Sequence, residues 1–252
     1  MGTRSLVGTF TAVVTPFRDE AAKPVDWAAY ESLLAAQVEG GVAGVVPCGT
    51  TGESPTLSPE EQLELVRRAV VTVGSRALVV AGTGSNSTEH AVHLSRAAEK
   101  AGAHAVMVVV PYYNRPTQEG LVEHYARVAA SVAVPVVVYN VPGRTGCDLL
   151  PETLARICER APNVAAVKEA TGNVLRAQEI KRRLGGRVAV LCGDDGLTLP
   201  MVAVGASGVI SVTSNLLPRA VSEATKLGLE GRHEEARRAH FRLLPVHEAM
   251  FL

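Results

Sequence analysis

The strongest constraint on the fold is a unit that recurs about eight times, in which an apolar run leads through a turn into an amphipathic segment. The runs are short and rich in small or β-branched residues, which is typical of parallel strands buried on both faces. The predicted strands are Thr9–Thr15, Gly44–Cys48, Leu78–Ala81, Ala105–Val110, Val134–Tyr139, Val164–Lys168, Val188–Cys192 and Gly208–Val212. Eight such units predict an α/β protein, a (β/α)8 TIM barrel.

Helix start and stop signals fall between these runs. Asp26 is a predicted N-cap, Ser58 to Glu61 forms a capping box with Pro59 at the first helical position, and Gly185–Gly186 closes a later helix. The predicted helices cover residues 26–39, 59–73, 87–100, 118–131, a segment that begins at Pro151, 174–184, 197–204 and 218–229.

The main rival fold is a doubly wound open sheet. It is disfavoured because the first strand is not followed by a G-x-G-x-x-G turn. A chain of 252 residues can form one such barrel domain. We expect a catalytic barrel over residues 1–230 and, from 231 to 252, the start of a shortened C-terminal helical extension.

The balance of charge excludes several classes of partner. The 25 basic and 25 acidic residues leave no basic stripe for nucleic acid or an anionic membrane surface. No apolar run approaches the length of a membrane span or of a signal peptide. The four cysteines are scattered without a C-x-x-C pair, which favours reduced thiols and a cytoplasmic location. The spaced histidines of two helical segments indicate helix faces, so no metal site is expected.

A lysine ends the sixth apolar run, although lysine is among the residue types least often buried. Lys168 could simply begin a loop and point to water. Alternatively, it is an amine in an apolar pocket, with its pKa lowered from ~10.4 to ~7–8, that attacks a ketone. The run alone leaves both interpretations open.

The segments that follow the predicted strands share the face on which barrel enzymes carry their active sites. They contribute hydroxyl groups and an arginine with no evident anionic cluster, which favours a functional Lys168. Structural alternatives exist for each: Tyr139 could be a core aromatic, Thr50 and Thr51 could cap a turn, and Arg144 could lie on the surface. The segments are Gly49–Ser54, Pro111–Pro116, Tyr139–Gly146, Lys168 itself and Gly193–Gly196.

Four of these motifs, in this order, closely resemble the 4-hydroxy-tetrahydrodipicolinate synthase family, formerly the dihydrodipicolinate synthases. They are Gly49–Glu53, Pro111–Pro116, Tyr139–Gly146 and Val167–Gly172, and the resemblance runs from about Leu6 to the end of the chain. It implies a lyase of the class I aldolase type that acts in lysine and diaminopimelate biosynthesis. Such an enzyme condenses pyruvate with L-aspartate 4-semialdehyde through a Schiff base on a lysine.

The resemblance also implies a role for each matching residue. Lys168 would form the imine, Tyr139 would move protons, Thr50 would relay them, and Tyr113 would reach in from a neighbouring subunit. The predicted substrate-binding residues are Thr51 for the pyruvate carboxylate, Arg144 for the semialdehyde carboxylate, and Gly193 with the Ile210 main chain near the lysine.

The same resemblance predicts the partners of the enzyme. It implies small-molecule substrates, no separate cofactor beyond the covalent imine, and a homo-oligomer, namely a homotetramer built as a dimer of dimers. Lysine-inhibited members carry histidines and an acid at the positions of Pro59, Gln62 and His90, so lysine feedback is not expected here. Relative to the family, the C-terminal helical extension is incomplete.

Two alternatives remain at this point. One is a sibling Schiff-base lyase or aldolase that acts on N-acetylneuraminate or a 2-keto-3-deoxy sugar acid. Arg144 and the Tyr112–Tyr113 pair favour the synthase over these siblings. The other alternative is a catalytically dead barrel.

Overall fold

Eight parallel strands close into a barrel in which each strand pairs with the next and the last pairs with the first. The computed structural model describes residues 5–251. The strands are β1 (Gly8–Ala12), β2 (Gly44–Val46), β3 (Leu78–Gly82), β4 (Ala105–Val109), β5 (Val136–Asn140), β6 (Val164–Glu169), β7 (Ala189–Cys192) and β8 (Gly208–Ser211). The predicted (β/α)8 barrel is confirmed.

Helices follow the strands and cover the outside of the barrel. They are α1 (Trp27–Glu39), α2 (Pro59–Val73), α3 (Thr88–Lys100), α4 (Gln118–Ala130), α5 (Pro142–Thr145), α6 (Pro151–Arg160), α7 (Val174–Leu184), α8 (Thr198–Ala203), α9 (Pro218–Leu229) and α10 (His233–Ala249). The sequence predicted all of them except α5, a single turn that is too short to carry an amphipathic period.

The predicted helix caps form as hydrogen bonds. The Asp26 carboxylate accepts from the Ala29 N–H at 3.0 Å. Ser58 Oγ accepts from the Glu61 N–H at 3.2 Å, while the Glu61 carboxylate accepts from the Ser58 N–H at 2.8 Å. These bonds satisfy N–H groups that the first turn of a helix leaves unpaired, and they fix where α1 and α2 begin.

Side chains along each strand point alternately into and out of the barrel, and this produces two apolar layers. In β6, Ala166 packs into the cluster that fills the barrel, whereas Val167 packs into the layer between strands and helices. Because successive side chains of a strand point to opposite faces, Lys168 follows Ala166 inward and Glu169 follows Val167 outward. The sequence pattern of β6 therefore directs the lysine into the barrel.

Several strands are shorter than the sequence predicted. β2 ends at Val46 because Pro47 has no N–H to donate and Cys48 adopts a left-handed backbone with φ 57°. β1 ends at Ala12, and the Val14 N–H turns away to the Asn215 side chain at 3.1 Å. These early ends release the chain into the loops at the mouth of the barrel.

The last helix packs beside the barrel rather than around it. α10 contacts α9 and the turn that follows β7. Leu243 and His247 are buried in this contact, while Phe241 and Phe251 are exposed. The end of α10 therefore lies close to the carboxyl ends of the strands.

Candidate active site

Lys168 is buried at the carboxyl end of β6, with 5% of its surface exposed. It is aligned with Tyr139 on β5 and with Leu191 on β7. Its amine nitrogen lies 4.2 Å from the centre of the Tyr139 ring. The structure thus contradicts the interpretation of Lys168 as a solvated loop residue.

The surroundings of Lys168 favour a neutral amine. Burial lowers the pKa of Lys168 from 10.5 to about 8. The negative charge of Asp195 opposes this change, and the positive charge of Arg144 adds to it. A lysine with a pKa near 8 is partly unprotonated at neutral pH, and only the unprotonated amine can attack a carbonyl carbon.

Tyr139 supplies a hydroxyl group beside that amine. Burial raises the pKa of Tyr139, although a hydrogen bond with Thr50 and the charge of Arg144 lower it in part. The phenol therefore stays protonated at neutral pH and can donate its proton. Its hydrogen bond with Thr50 joins the end of β5 to the loop after β2.

A cavity of about 180 Å³ opens above Lys168 at the carboxyl ends of the strands. It brings together six of the eight residues that the sequence predicted for the site. Those six are Thr50, Thr51, Tyr139, Arg144, Lys168 and Gly193, and the wall is completed by Val141, Ala170, Asp194, Val212 and Phe251. Beside the carboxylate of Asp194, the wall offers three hydroxyls, one amine and one guanidinium, and these groups suit a small carboxylate with an adjacent carbonyl group.

The threonine pair is positioned by a tight turn after β2. The Gly52 N–H donates to the Gly49 carbonyl at 3.2 Å, and Thr15 Oγ1 donates to the Gly52 carbonyl at 2.7 Å. This turn lies on the mouth of the barrel, so Thr50 and Thr51 both face the cavity.

Arg144 reaches the cavity from α5, which the sequence did not predict. Pro142 begins this single turn, and Gly146 ends it with φ 68°, a left-handed conformation that glycine adopts without strain. The turn directs the Arg144 guanidinium over the entrance, where a planar fork can bind a carboxylate through two hydrogen bonds.

Gly193 has no side chain, and this allows the chain after β7 to pass close to the chain after β6. A Cβ at this position would lie 2.6 Å from the Ala170 Cβ and 3.2 Å from the Glu169 carbonyl oxygen. Only glycine therefore allows β7 to leave the barrel so close to the end of β6.

Two predicted residues do not line this cavity. Tyr113 is 88% exposed and adopts a left-handed backbone with φ 72°. Ile210 is buried in the apolar interior of the barrel, and Val212 lines the cavity in the segment after β8. The single chain therefore places Tyr113 on its surface and Ile210 below the cavity floor.

A polar network lies behind the ends of β5 and β6. Asn140 donates to the Asp148 carboxylate at 3.0 Å, and Asp148 pairs with Arg176 at 2.7 Å. The Glu169 carboxylate, which points away from Lys168, accepts from the Thr171 N–H at 2.8 Å. Asn140 also donates to the Glu169 carboxylate at 3.4 Å, so the network joins the end of β5 to the end of β6.

Sequence reasoning missed Val141, Ala170, Val212 and Phe251 in the wall. Their apolar side chains carry no chemical signal of their own, and Phe251 belongs to the segment after α10. Asp194 was placed at the mouth but was given no role.

A second cavity of about 460 Å³ lies beside the first and shares Thr50, Val141 and Arg144 with it. Its wall also includes Pro59, Gln62, His90 and Tyr112. It contains no Lys168, so the smaller cavity is the candidate active site despite its size.

Residues 5–251 contain no cluster of three histidine, cysteine, aspartate or glutamate side chains suited to a metal ion. In the same part of the chain, no helix has the length and apolar character to cross a membrane.

Comparisons with known proteins identify the family of this chain. A model of the dihydrodipicolinate synthetase family matches residues 5–252. The 4-hydroxy-tetrahydrodipicolinate synthase of Sorangium cellulosum (strain So ce56) is 55% identical over 247 residues, which cover 98% of this chain and 82% of that protein.

Solved structures lead to the same family. The 4-hydroxy-tetrahydrodipicolinate synthase of Methylacidiphilum fumariolicum SolV is 47% identical, with a TM-score of 0.95 over 98% of this chain and 81% of that one. A structure described as the first monomeric dihydrodipicolinate synthase variant is 40% identical, with a TM-score of 0.93 over 98% of this chain and 82% of that one. The predicted family and the predicted lyase class are confirmed, and this chain belongs to the dihydrodipicolinate synthetase family.

Proposed function

We propose that this chain condenses pyruvate with L-aspartate 4-semialdehyde to give 4-hydroxy-tetrahydrodipicolinate, and that Lys168 and Tyr139 carry the reaction. The observation that supports this most is the buried Lys168 amine, with a pKa near 8, beneath the Tyr139 ring. The curated relatives with this name support the choice of substrates.

In the first step, the unprotonated Lys168 amine attacks the ketone carbon of pyruvate. The oxygen leaves as water after it accepts protons, and Tyr139 is placed to donate one of them. A carbon–nitrogen double bond replaces the carbon–oxygen bond. The proton can be replaced through Thr50, which is hydrogen-bonded to Tyr139.

In the second step, the protonated imine accepts the electron pair that remains when the pyruvate methyl group loses a proton. The resulting enamine carbon attacks the aldehyde carbon of the second substrate, and a carbon–carbon bond forms while the aldehyde double bond opens. The aldehyde oxygen takes up a proton and becomes a hydroxyl group, which balances the proton lost from the methyl group. The amine of that substrate then displaces Lys168 from the imine carbon, which closes the ring and frees the lysine. Because the imine serves as the electron sink, we expect no separate cofactor.

Thr51, Arg144 and Gly193 are the proposed substrate-binding residues at the mouth of the barrel. Thr51 faces the cavity beside Lys168 and can donate to the pyruvate carboxylate. Arg144 lies where the two cavities meet, and its guanidinium suits the carboxylate of the semialdehyde. Gly193 lines the wall near the amine, while the predicted role of the Ile210 main chain remains a prediction.

Tyr113 is exposed in the single chain, which is consistent with a role across a subunit interface. We therefore propose a homo-oligomer, at least a dimer and a tetramer by family resemblance. A Tyr113→Phe variant should lose activity while Tyr112→Phe serves as the control. A fully active monomer in sedimentation and activity measurements at the same concentration would contradict this, and the monomeric relative makes that measurement necessary.

The described cysteines are all unpaired, which supports the proposed cytoplasmic location. We also propose that residues 1–230 form the catalytic barrel and that 231–252 form a separate helical extension, since α10 packs beside the barrel.

A coupled assay with pyruvate and L-aspartate 4-semialdehyde tests the proposed reaction. We expect turnover that is lost in Lys168→Ala. Absence of turnover together with cleavage of N-acetylneuraminate or a 2-keto-3-deoxy sugar acid would instead assign the chain to a sibling activity.

A further inference from the structure

The carboxylate of Asp195 joins the ends of two neighbouring strands beside Lys168. Asp195 begins the turn after β7, and 2% of its surface is exposed. Its Oδ2 accepts from the N–H groups of Val212 at 2.8 Å and Thr213 at 3.1 Å, which both follow β8. One side chain therefore fixes the exit of β8 against the exit of β7.

Both of these exits belong to the wall of the active-site cavity. Gly193 and Asp194, immediately before Asp195, line the cavity, and so does Val212. β7 also pairs with β6, where Leu191 is aligned with Lys168. A change in the Asp195 contacts would therefore move the wall that faces the reacting amine.

The other oxygen of Asp195 argues against a purely structural role. Oδ1 is fully buried and receives no hydrogen bond within residues 5–251. Burial of an ionised oxygen without a donor opposes folding. Features that break such a rule are expected mainly where function requires them.

A second contact extends this arrangement to the last helix. Thr213 Oγ1 and His247 Nδ1 are hydrogen-bonded at 2.8 Å, and His247 is buried on α10. Burial lowers the pKa of His247, which favours the neutral ring, while the charges of Asp195 and Asp194 oppose this. Thr213, whose N–H donates to Asp195, is thus also bound to α10 through its side chain.

We propose that Asp195 is a positioning residue for the reaction at Lys168, in which its buried carboxylate sets the β7–β8 wall of the cavity and provides a fixed negative charge that acts on the amine. This inference rests on the proposed imine chemistry of Lys168. Asp195 acts through Val212 and Thr213 and through its charge, without contact to substrate.

The charge of Asp195 has a measurable consequence. It raises the pKa of Lys168 against the larger effect of burial. Removal of that charge should lower the pKa of Lys168 further, so the unprotonated amine would persist to lower pH. The titratable or charged groups that face this pair are Tyr139, Cys192, Asp194, Arg144, His240 and His247.

Two substitutions distinguish the effect of the position of the Asp195 carboxylate from the effect of its charge. Asp195→Asn keeps an oxygen that can accept the two N–H bonds but removes the charge. Asp195→Glu keeps the charge but displaces it by one methylene. The rate at which borohydride traps a pyruvate adduct on Lys168 is measured against pH for each, together with kcat/KM and the thermal melting curve.

For Asp195→Asn, which keeps both N–H bonds, we expect the acid limb of the trapping profile to move to lower pH, with a smaller fall in kcat/KM than for Asp195→Glu. For Asp195→Glu we expect kcat/KM to fall about tenfold or more, because small displacements of reacting groups are costly, with the acid limb at the wild-type position. Asp26→Asn is the control, since the Asp26 carboxylate also accepts a backbone N–H, lies at the start of α1 and is not among the charges that act on Lys168. Its acid limb should not move.

If the acid limb of the trapping profile does not move in Asp195→Asn, the positioning role is overturned. Loss of a merely structural residue would lower the trapping rate at every pH without moving the limb. Loss of folding in both Asp195 variants would also overturn it, by showing that the carboxylate serves the fold. If the wild-type chain gives no adduct on Lys168, the proposed function fails, and that result is distinct from either outcome for Asp195.

Discussion

The Lys168 amine and the Tyr139 ring are 4.2 Å apart because β5 and β6 align these two residues side by side. The inward face of β6 brings the amine into a region that little water reaches, and the neighbouring strand brings the phenol. The proposed nucleophile and the proposed proton donor are therefore set by strand register rather than by a flexible loop.

Because Lys168 is buried, its protonated form should lower the free energy of unfolding. Its pKa in the folded chain, about 8, lies below the unfolded value of 10.5, so the unfolded chain binds more protons between these pH values. The free energy of unfolding should therefore rise with pH across this window. Below it, the cost is fully present and corresponds to roughly 3 kcal/mol at most.

Lys168→Met should remove this cost while abolishing activity. Urea unfolding at pH 7 should show a more stable variant, and the difference should shrink as the pH approaches 10. A variant that is less stable than the wild type at pH 7 would contradict the account of a buried, destabilised ammonium group.

Tyr139→Phe should lower kcat by about 10²–10⁴, the range that a positioned proton donor contributes. Tyr125→Phe is the matched control, because Tyr125 is also buried and its hydroxyl donates to the Val108 carbonyl at 3.0 Å, away from the cavity. That control should lose about 1 kcal/mol of stability and keep its activity. Equal activities of the two variants would exclude Tyr139 as the proton donor.

Gly193→Ala should damage both the wall and the reaction. The new Cβ would lie 2.6 Å from Ala170, and the required shift should cost about 1–3 kcal/mol and reduce activity at least tenfold. Gly186→Ala provides the comparison, since a Cβ there meets no atom within 4 Å. Melting curves and steady-state assays of both variants test this prediction. Wild-type stability and activity in Gly193→Ala would contradict it, by showing that the cavity wall can shift to accommodate the new Cβ.

L-Lysine should not inhibit this enzyme. The 460 Å³ cavity holds the positions Pro59, Gln62 and His90, and none of its lining residues is an aspartate or a glutamate. An ammonium group that entered it would meet the positive charge of Arg144 without a carboxylate to pair with. Activity at millimolar L-lysine should equal activity without it, and a saturable loss would refute the prediction.

Much of the fold could be predicted because each strand and every helix except α5 has a local signal. The capping box at Ser58 and Glu61 fixed the start of α2, and the apolar runs located all eight strands. The ends of the strands could not be predicted in the same way. β2 stops early because of a proline and a left-handed residue, and whether a chain leaves a sheet there depends on the neighbouring strand.

The site could be predicted to a similar extent. Lys168, Tyr139 and Arg144 carry chemical groups and lie in recognisable motifs, so sequence located them. The aligned approach of Lys168 and Tyr139 depends on strand register, and Phe251 reaches the cavity only through the packing of α10. The unpaired oxygen of Asp195 is likewise a property of the folded chain.

The central claim is that Lys168 forms an imine with pyruvate, and reduction with borohydride tests it most directly. The protein is incubated with pyruvate, reduced, digested and examined by mass spectrometry, with Lys168→Ala treated in parallel. We expect a reduced pyruvate adduct on the peptide that contains Lys168 and none in the variant. A folded wild-type sample without an adduct, or an adduct on another lysine, would contradict the account.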